Sequence, residues 1–262
     1  MRVDGAPAPP TDGERWAREA LADLRAGRFG ARAWLGFLAA SGRRAGERAR
    51  ARPDLAREAL LWSAAGALPW GGLALVDARS LWGLGWWALV GAMLWWHVGM
   101  VEGPAGEPRS GLGAASALTL ARAWLVPALP LLAGQPWAFA AAVAAGGLTD
   151  AVDGPIARRR GEVTRLGAHV DASTDVAVAL AAAWTAAGEG WVPVWAAPAV
   201  TVRYALPPLA IALFYLARAA PPPTAAVVRG RLPGLAVALG LALCPIEAAR
   251  GPAAALLAAG LA

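Results

Sequence analysis

Past residue 57 this chain is written in long apolar runs separated by short polar turns, and that pattern leaves few folds open. Hydrophobic residues make up 58% of the chain and charged residues 16%, against about 25% charged in a typical soluble domain. A segment crossing hydrocarbon must satisfy its own backbone N–H and C=O groups, so it is a helix of about 20 apolar residues. Eight runs fit: about 58–76, 81–101, 114–133, 136–156, 167–187, 191–217, 232–246 and 251–262. The last is short for a full crossing and would tilt or lean on its neighbours. The expected fold is therefore all-α, a polytopic membrane protein.

Residues 1–57 form a basic arm. It holds twelve arginines against seven acids, a surplus of five in a chain whose net charge is +6. Its first dozen residues are rich in Pro, Gly and Ala and read as unstructured. From Glu14 to Ala51 apolar residues recur at helical spacing (Trp16, Ala20, Leu24, then Trp34, Leu35, Leu38). That predicts one or two amphipathic helices, lying on anionic lipid or solvated. A basic flank of this kind sets membrane topology, and we do not read it as a nucleic-acid surface. Residues 58–101 then make a two-helix transmembrane extension, dense in Trp82, Trp86, Trp87, Trp95 and Trp96. Trp86 and Trp87 read as packing or lipid contacts. Residues 102–113, with their Gly and Pro, read as a linker. A six-helix core fills 114–262.

Arginine placement sets the orientation. The arm, the turn with Arg158, Arg159, Arg160 and Arg165, and the loop with Arg218, Arg229 and Arg231 all fall on one side when eight spans alternate. Basic loops stay cytoplasmic, so the amino terminus is expected there. No lysine occurs, and all 24 basic residues are arginine. With the abundant Ala and Gly this reads as the coding bias of a GC-rich genome, and a bacterial inner or cell membrane is the expected location. One cysteine, Cys244, allows no disulfide within the chain and reads as packing. Two histidines, His97 and His169, are too few for a histidine metal site, though His169 lies beside the acids discussed next.

Four aspartates stand out against this apolar background. Asp150 and Asp153 close one span, and Asp171 and Asp175 open the next. Spacings of three and four put each pair on one helix face. A hairpin folded at the turn between them would bring the pairs together. Ionised groups in a membrane are costly and mark function. Clustered carboxylates offer hard oxygen ligands to magnesium, manganese or calcium. Two such cations can clamp a diphosphate. Gly154, Ala157 and Gly167 are small where helices approach closely or admit a nucleotide, and Arg158 can reach a phosphate. Arg159, Arg160 and Arg165 read as topology-setting charges.

The stretch Asp150-x2-Asp153-Gly154-x2-Ala157-Arg158-x8-Gly167-x3-Asp171-x3-Asp175 resembles the signature of the CDP-alcohol phosphatidyltransferases. All eight fixed positions are present. The resemblance implies a six-helix catalytic core and transfer of a phosphatidyl group from CDP-diacylglycerol to an alcohol or alcohol phosphate, with release of CMP. It implies two divalent cations, Mg²⁺ or Mn²⁺, with Asp150, Asp153 and Asp171 as ligands. Asp175 would be a ligand or the base that takes the acceptor's proton, and Asp171 shares in the catalytic set. Gly154, Ala157, Arg158 and Gly167 would face the nucleotide. A homodimer in the bilayer is a further implication.

A second patch, Ser116-x2-Thr119-x2-Arg122-x4-Pro127, resembles the family's N-x2-T-x2-R-x4-P pattern, with Ser116 where Asn is usual. An arginine two turns inside a span needs an anionic partner, so Thr119 and Arg122 are expected near the nucleotide or the acids. Arg203 and Arg231 are candidate acceptor-binding residues. Arg203 could equally pair with an aspartate. Tyr204 and Gly230-Arg231 depart from the Arg-Glu and Gly-Lys of the glycerophosphate-using branch, which argues against that acceptor. Two other readings compete: transfer of a CDP-linked headgroup onto diacylglycerol, and a transporter or non-catalytic membrane scaffold, since intramembrane charges also line transport paths.

Overall fold

A computed structural model describes residues 11–103, 106–218 and 231–262, the side chain of Arg231 excepted. These residues are helical, with no strand among them beyond one isolated bridge between Glu102 and Pro108. The expectation for residues 1–10 lies outside the described residues. Thr11 and Asp12, also expected to be unstructured, instead start a helix. Thr11 Oγ1 accepts from the Glu14 amide at 3.3 Å and Glu14 Oε2 accepts from the Thr11 amide at 2.8 Å. This reciprocal cap satisfies two amides that a helix start leaves orphaned.

The arm is two helices, α1 (Asp12–Ala26) and α2 (Ala31–Ala51). Between them Arg28 and Phe29 take left-handed backbone, φ 50° and 55°. The two helices of the arm pack on each other and on the rest of the molecule. Leu21 and Leu24 of α1 are buried. Asp12 bridges to Arg44 at 2.7 Å and to Arg48, while Arg44 lies over the Trp16 ring at 5.0 Å. Several contacts tie the arm to the rest of the molecule, among them Trp96 Nε1 donating to Ser41 Oγ at 2.7 Å. Arg165 Nη1 meets Glu14 Oε1 at 2.7 Å, and Arg25 Nη1 donates to the Ala217 carbonyl at 3.3 Å. Burial works against the Glu14 carboxylate, but hydrogen bonds from Arg165 and the Thr11 amide outweigh it and hold Glu14 below its ordinary range. Arg165 is thus part of the arm's attachment and not a loop charge alone.

The extension is a hairpin of α3 (Pro53–Ala74) and α4 (Leu81–Trp96), turned at Asp77, whose side chain caps a short 3₁₀ segment. Glycine lets indole rings fill the seam. A Cβ on Gly66 would stand 2.0 Å from Trp87, and one on Gly83 would stand 2.0 Å from Trp70. Both rings are buried and belong to a cluster with Leu94, Leu120, Leu166 and Val170, so the hairpin and the following helices share one apolar core.

Those following helices are α5 (Gly113–Ala123), α6 (Leu125–Leu131), α7 (Pro136–Arg160), α8 (Arg165–Gly188), α9 (Ala196–Arg218), α10 (Arg231–Leu243) and α11 (Arg250–Leu261). The first span of the expected six is therefore two helices with a break at Trp124. The other five runs are each helical, displaced by a turn or so at some ends from the expected bounds. A second cluster, including Leu129, Phe139, Ala183, Val200, Leu241 and Leu257, binds α6 through α11. Among the described residues, two stretches are long and apolar enough to cross a membrane by length and composition: Gly113–Leu131, which runs across the break, and Ala196–Arg218, with mean hydropathies of 1.3 and 1.5. Large apolar side chains point outward along the bundle, among them Leu68, Leu89, Trp137, Leu148 and Leu213.

The glycine–indole seam yields a stability prediction. Gly83→Val should destabilise the protein by about 1–3 kcal/mol, the usual cost of overpacking. Thermal unfolding in detergent reads this directly, and an unchanged midpoint would refute the close packing of α3 on α4.

Candidate active site

Helix α7 ends where Gly161 adopts φ 64°, a left-handed cap that glycine tolerates. Thr164 then caps α8 by accepting from the Gly167 amide at 2.9 Å. This tight turn folds α8 back beside α7. The last turns of α7 carry Asp150 and Asp153, and the first turns of α8 carry Asp171 and Asp175. Helix α5 packs against both. Its start is fixed by Glu162, whose Oε2 accepts from the Ala114 amide at 2.8 Å. Gly167 lets α8 approach: a Cβ there would lie 2.8 Å from Thr164 Oγ1 and 2.9 Å from Ser116 Oγ. The side chains of Glu162, Thr164 and Ser116 were not singled out as site residues from sequence. Thr164 carried a readable signal, a threonine just before an apolar-periodic run.

The four aspartates converge, and Arg122 stands among them. Arg122 Nη1 lies 3.2 Å from Asp150 Oδ1 and 3.1 Å from Asp153 Oδ2. Its Nη2 lies 2.5 Å from Asp171 Oδ1 and 2.6 Å from Asp175 Oδ1. Thr119 Oγ1 donates to the Asp153 oxygen that Arg122 also engages, at 3.3 Å. Of the two expected places for Arg122, the structure shows it beside the acids. One guanidinium links all four. Exposure is graded across the site: the Arg122 and Asp153 side chains are 2% and 5% exposed, and that of Asp150 is 51% exposed. The floor is closed and the Asp150 rim is open.

One positive charge among four negative ones leaves a large surplus. Asp150, Asp153 and Asp171 each present an oxygen, and these lie within 4.8 Å of one another. Like charges at that distance repel by roughly 3 kcal/mol per pair at an effective dielectric of 20. A set of hard oxygen donors with this surplus fits a divalent cation such as Mg²⁺ or Mn²⁺. Asp175 is outside that trio.

The remaining sequence candidates fall as follows. Arg158 is exposed, and its guanidinium lies near Gly154, 3.2 Å from where a Cβ would be. Ala157 is half-buried on α7 beside them. Arg203 lies half-buried in α9, which packs on α8, but among the described residues it makes no ion pair with an aspartate. Arg231 opens α10, and its side chain, like residues 229 and 230, lies outside the described residues. His169 is on the exposed side of α8.

Removing Arg122 tests this arrangement. Arg122→Met should leave the acids without their counter-ion and cost about 3–5 kcal/mol, as when one partner of a buried ion pair is deleted. Unfolding in detergent with EDTA should show the loss, and millimolar Mg²⁺ or Mn²⁺ should restore part of it. A variant as stable as the parent in EDTA would refute the hub.

No curated protein and no solved structure matches the chain. A family model does match, that of the CDP-alcohol phosphatidyltransferases, over residues 112–262, which takes in α5 through α11 and all four aspartates. That match spans more than half of the chain, and the protein belongs to the CDP-alcohol phosphatidyltransferase family.

Proposed function

We propose that this protein is a membrane enzyme that transfers a phosphatidyl group from CDP-diacylglycerol to the hydroxyl of an alcohol or alcohol phosphate, releasing CMP. The observation that carries this reading is the convergence of Asp150, Asp153, Asp171 and Asp175 from two helices onto one open-sided site. In the reaction the acceptor oxygen attacks the phosphatidyl phosphorus, and the bond from that phosphorus to the CMP oxygen breaks. Asp150, Asp153 and Asp171 would hold the divalent cations. Those cations, when bound, neutralise the diphosphate and the charge on the departing CMP.

The other roles belong to the chain itself. Asp175, outside the three-carboxylate set, takes the proton from the acceptor hydroxyl. Arg122 and Thr119 hold Asp153 and Asp171 in place from beneath. Gly154, Ala157 and Gly167 keep the α7–α8 faces low enough to admit the nucleotide, and the exposed Arg158 is free to meet a phosphate. Arg203 and Arg231 are assigned to an anionic acceptor. Such transfers depend on position and electrostatics more than on covalent chemistry.

The membrane setting is part of the same proposal: eight crossings, with α5 and α6 sharing one, and the arm and site in the cytoplasm. Outward apolar side chains on helix after helix support it, since lipid would cover them. So do two of the arm's contacts. Glu14–Arg165 and Arg25–Ala217 join the arm to the α7–α8 turn and to the end of α9, where Arg218 stands, as arginine-rich segments sharing one side would require.

The test is CMP release by the purified protein in detergent, over a panel of alcohols and alcohol phosphates. Release should require Mg²⁺ or Mn²⁺ and stop with EDTA. Asp171→Asn and Asp175→Asn should each lower it at least about a hundredfold, the scale of a lost general base. Full activity in both variants would sink the assignment. Preference for a CDP-linked headgroup with diacylglycerol would reverse the donor.

A further inference from the structure

Helix α5 stops at Ala123 and α6 starts at Leu125. The cause lies two residues further on. Pro127 has no N–H, so it cannot donate to the carbonyl four residues back, which is that of Ala123. In an apolar setting a carbonyl without a donor is costly. Trp86 of α4 supplies the donor: its indole Nε1 meets the Ala123 oxygen at 2.9 Å. The same break is gripped from the side. Trp124 lies 5.2 Å from the Trp70 ring and 6.2 Å from the Trp87 ring, both seated on the glycines of the α3–α4 seam.

Ala123 follows Arg122 directly, and Arg122 is the guanidinium that links the four aspartates. We propose that Trp86 is a positioning residue for the transfer, and that the α3–α4 hairpin is a clamp fixing the α5–α6 break and with it the aim of Arg122. This rests on the phosphatidyltransferase reading above. It gives the extension a task in the reaction, although none of the ion pairs around Arg122 involves α3 or α4.

The lever is short and stiff. If Ala123 loses its indole donor, the last turn of α5 tightens or loosens to find another. An α-helix advances 100° per residue and a 3₁₀-helix 120°, so one residue's change of register swings a side chain at a radius of ~6 Å by about 2 Å. Contacts of 2.5–3.2 Å around Arg122 do not survive such a shift. On the reading above the donor is held also through Arg158, the small residues of α7 and α8 and its own acyl chains, so its binding should feel the shift less.

A double-mutant cycle with Trp86→Phe and Pro127→Ala tests this. Phe keeps an aromatic ring, a smaller one, and removes the N–H. In the parent, Trp86→Phe should lower kcat about tenfold while the KM for CDP-diacylglycerol stays within about twofold, since misplacement costs turnover more than binding. Pro127→Ala restores a backbone N–H for the Ala123 carbonyl. Whatever the rate of that variant, adding Trp86→Phe to it should change kcat by less than about twofold, because the indole no longer has a task there. Wild-type kcat in Trp86→Phe overturns the proposal, and so does an equal loss on both backgrounds. Thermal unfolding of the same four proteins needs no turnover. The midpoint should fall with Trp86→Phe when residue 127 is Pro and hold steady when it is Ala, and any other pattern refutes the clamp. A parent that releases no CMP with any donor and acceptor sinks the transferase reading, and the unfolding cycle then still decides whether the indole holds the break.

Discussion

The contact of Arg122 with four aspartates is the constraint around which this structure is organised. Three helices must agree for it to exist. Helix α5 delivers the guanidinium, α7 delivers Asp150 and Asp153, and α8 delivers Asp171 and Asp175. Lysine could not replace it: a point charge on a flexible stem lacks the planar fork that reaches several carboxylates at once. The supporting pieces make sense as means to that convergence. Gly161 and Thr164 fold the α7–α8 turn, Gly167 lets Ser116 of α5 come close, and Glu162 fixes the start of α5.

The sequence made much of this legible, for definite reasons. Apolar runs separated by polar turns locate the helices after residue 53 to within a turn or two, the split of one run into α5 and α6 excepted, because hydrophobic periodicity and helix breakers are local signals. The paired spacing of the aspartates gave their shared faces and their meeting across a hairpin. The partners were harder to read. That one arginine would touch all four acids depends on the depth at which α5 packs, which no spacing encodes. Arg165 read as a loop charge because its partner Glu14 is 151 residues away in the chain. The break at Trp124 had a visible cause in Pro127. Its consequence, an indole from another hairpin filling the gap, was written in two distant segments and in neither alone.

The additions before residue 112 are more than an appendage to the family core. The arm is held by Glu14–Arg165 at the turn that presents the aspartates and by Arg25 at the end of α9. The hairpin shares its apolar cluster with Leu120 of α5 and with Leu166 and Val170 of α8. Both additions thus bear on the helices that carry charged site residues. In a membrane the apolar effect does little to drive one helix onto another, so packing and hydrogen bonds must supply the preference. Indole rings seated on glycine, with one indole N–H given to a helix carbonyl, are interactions of that kind.

Charge gives the same conclusion from the opposite direction. Arg122 offsets one of four negative charges and takes its nearest contact on one oxygen of each carboxylate. A carboxylate has two oxygens and about four lone-pair directions, so a guanidinium on one side and a divalent cation on the other can share it. The guanidinium approaches from the buried floor, where Asp153 is closed off, and Asp150 stands at the exposed rim. Cations and a charged diphosphate would then enter from the rim, toward ligands already oriented from below. On the proposed reading Arg122 must not drift toward the rim, where it would compete with the cations for the same oxygens. On the clamp proposal its restraint comes from the backbone of α5, where the adjacent Ala123 carbonyl accepts from Trp86.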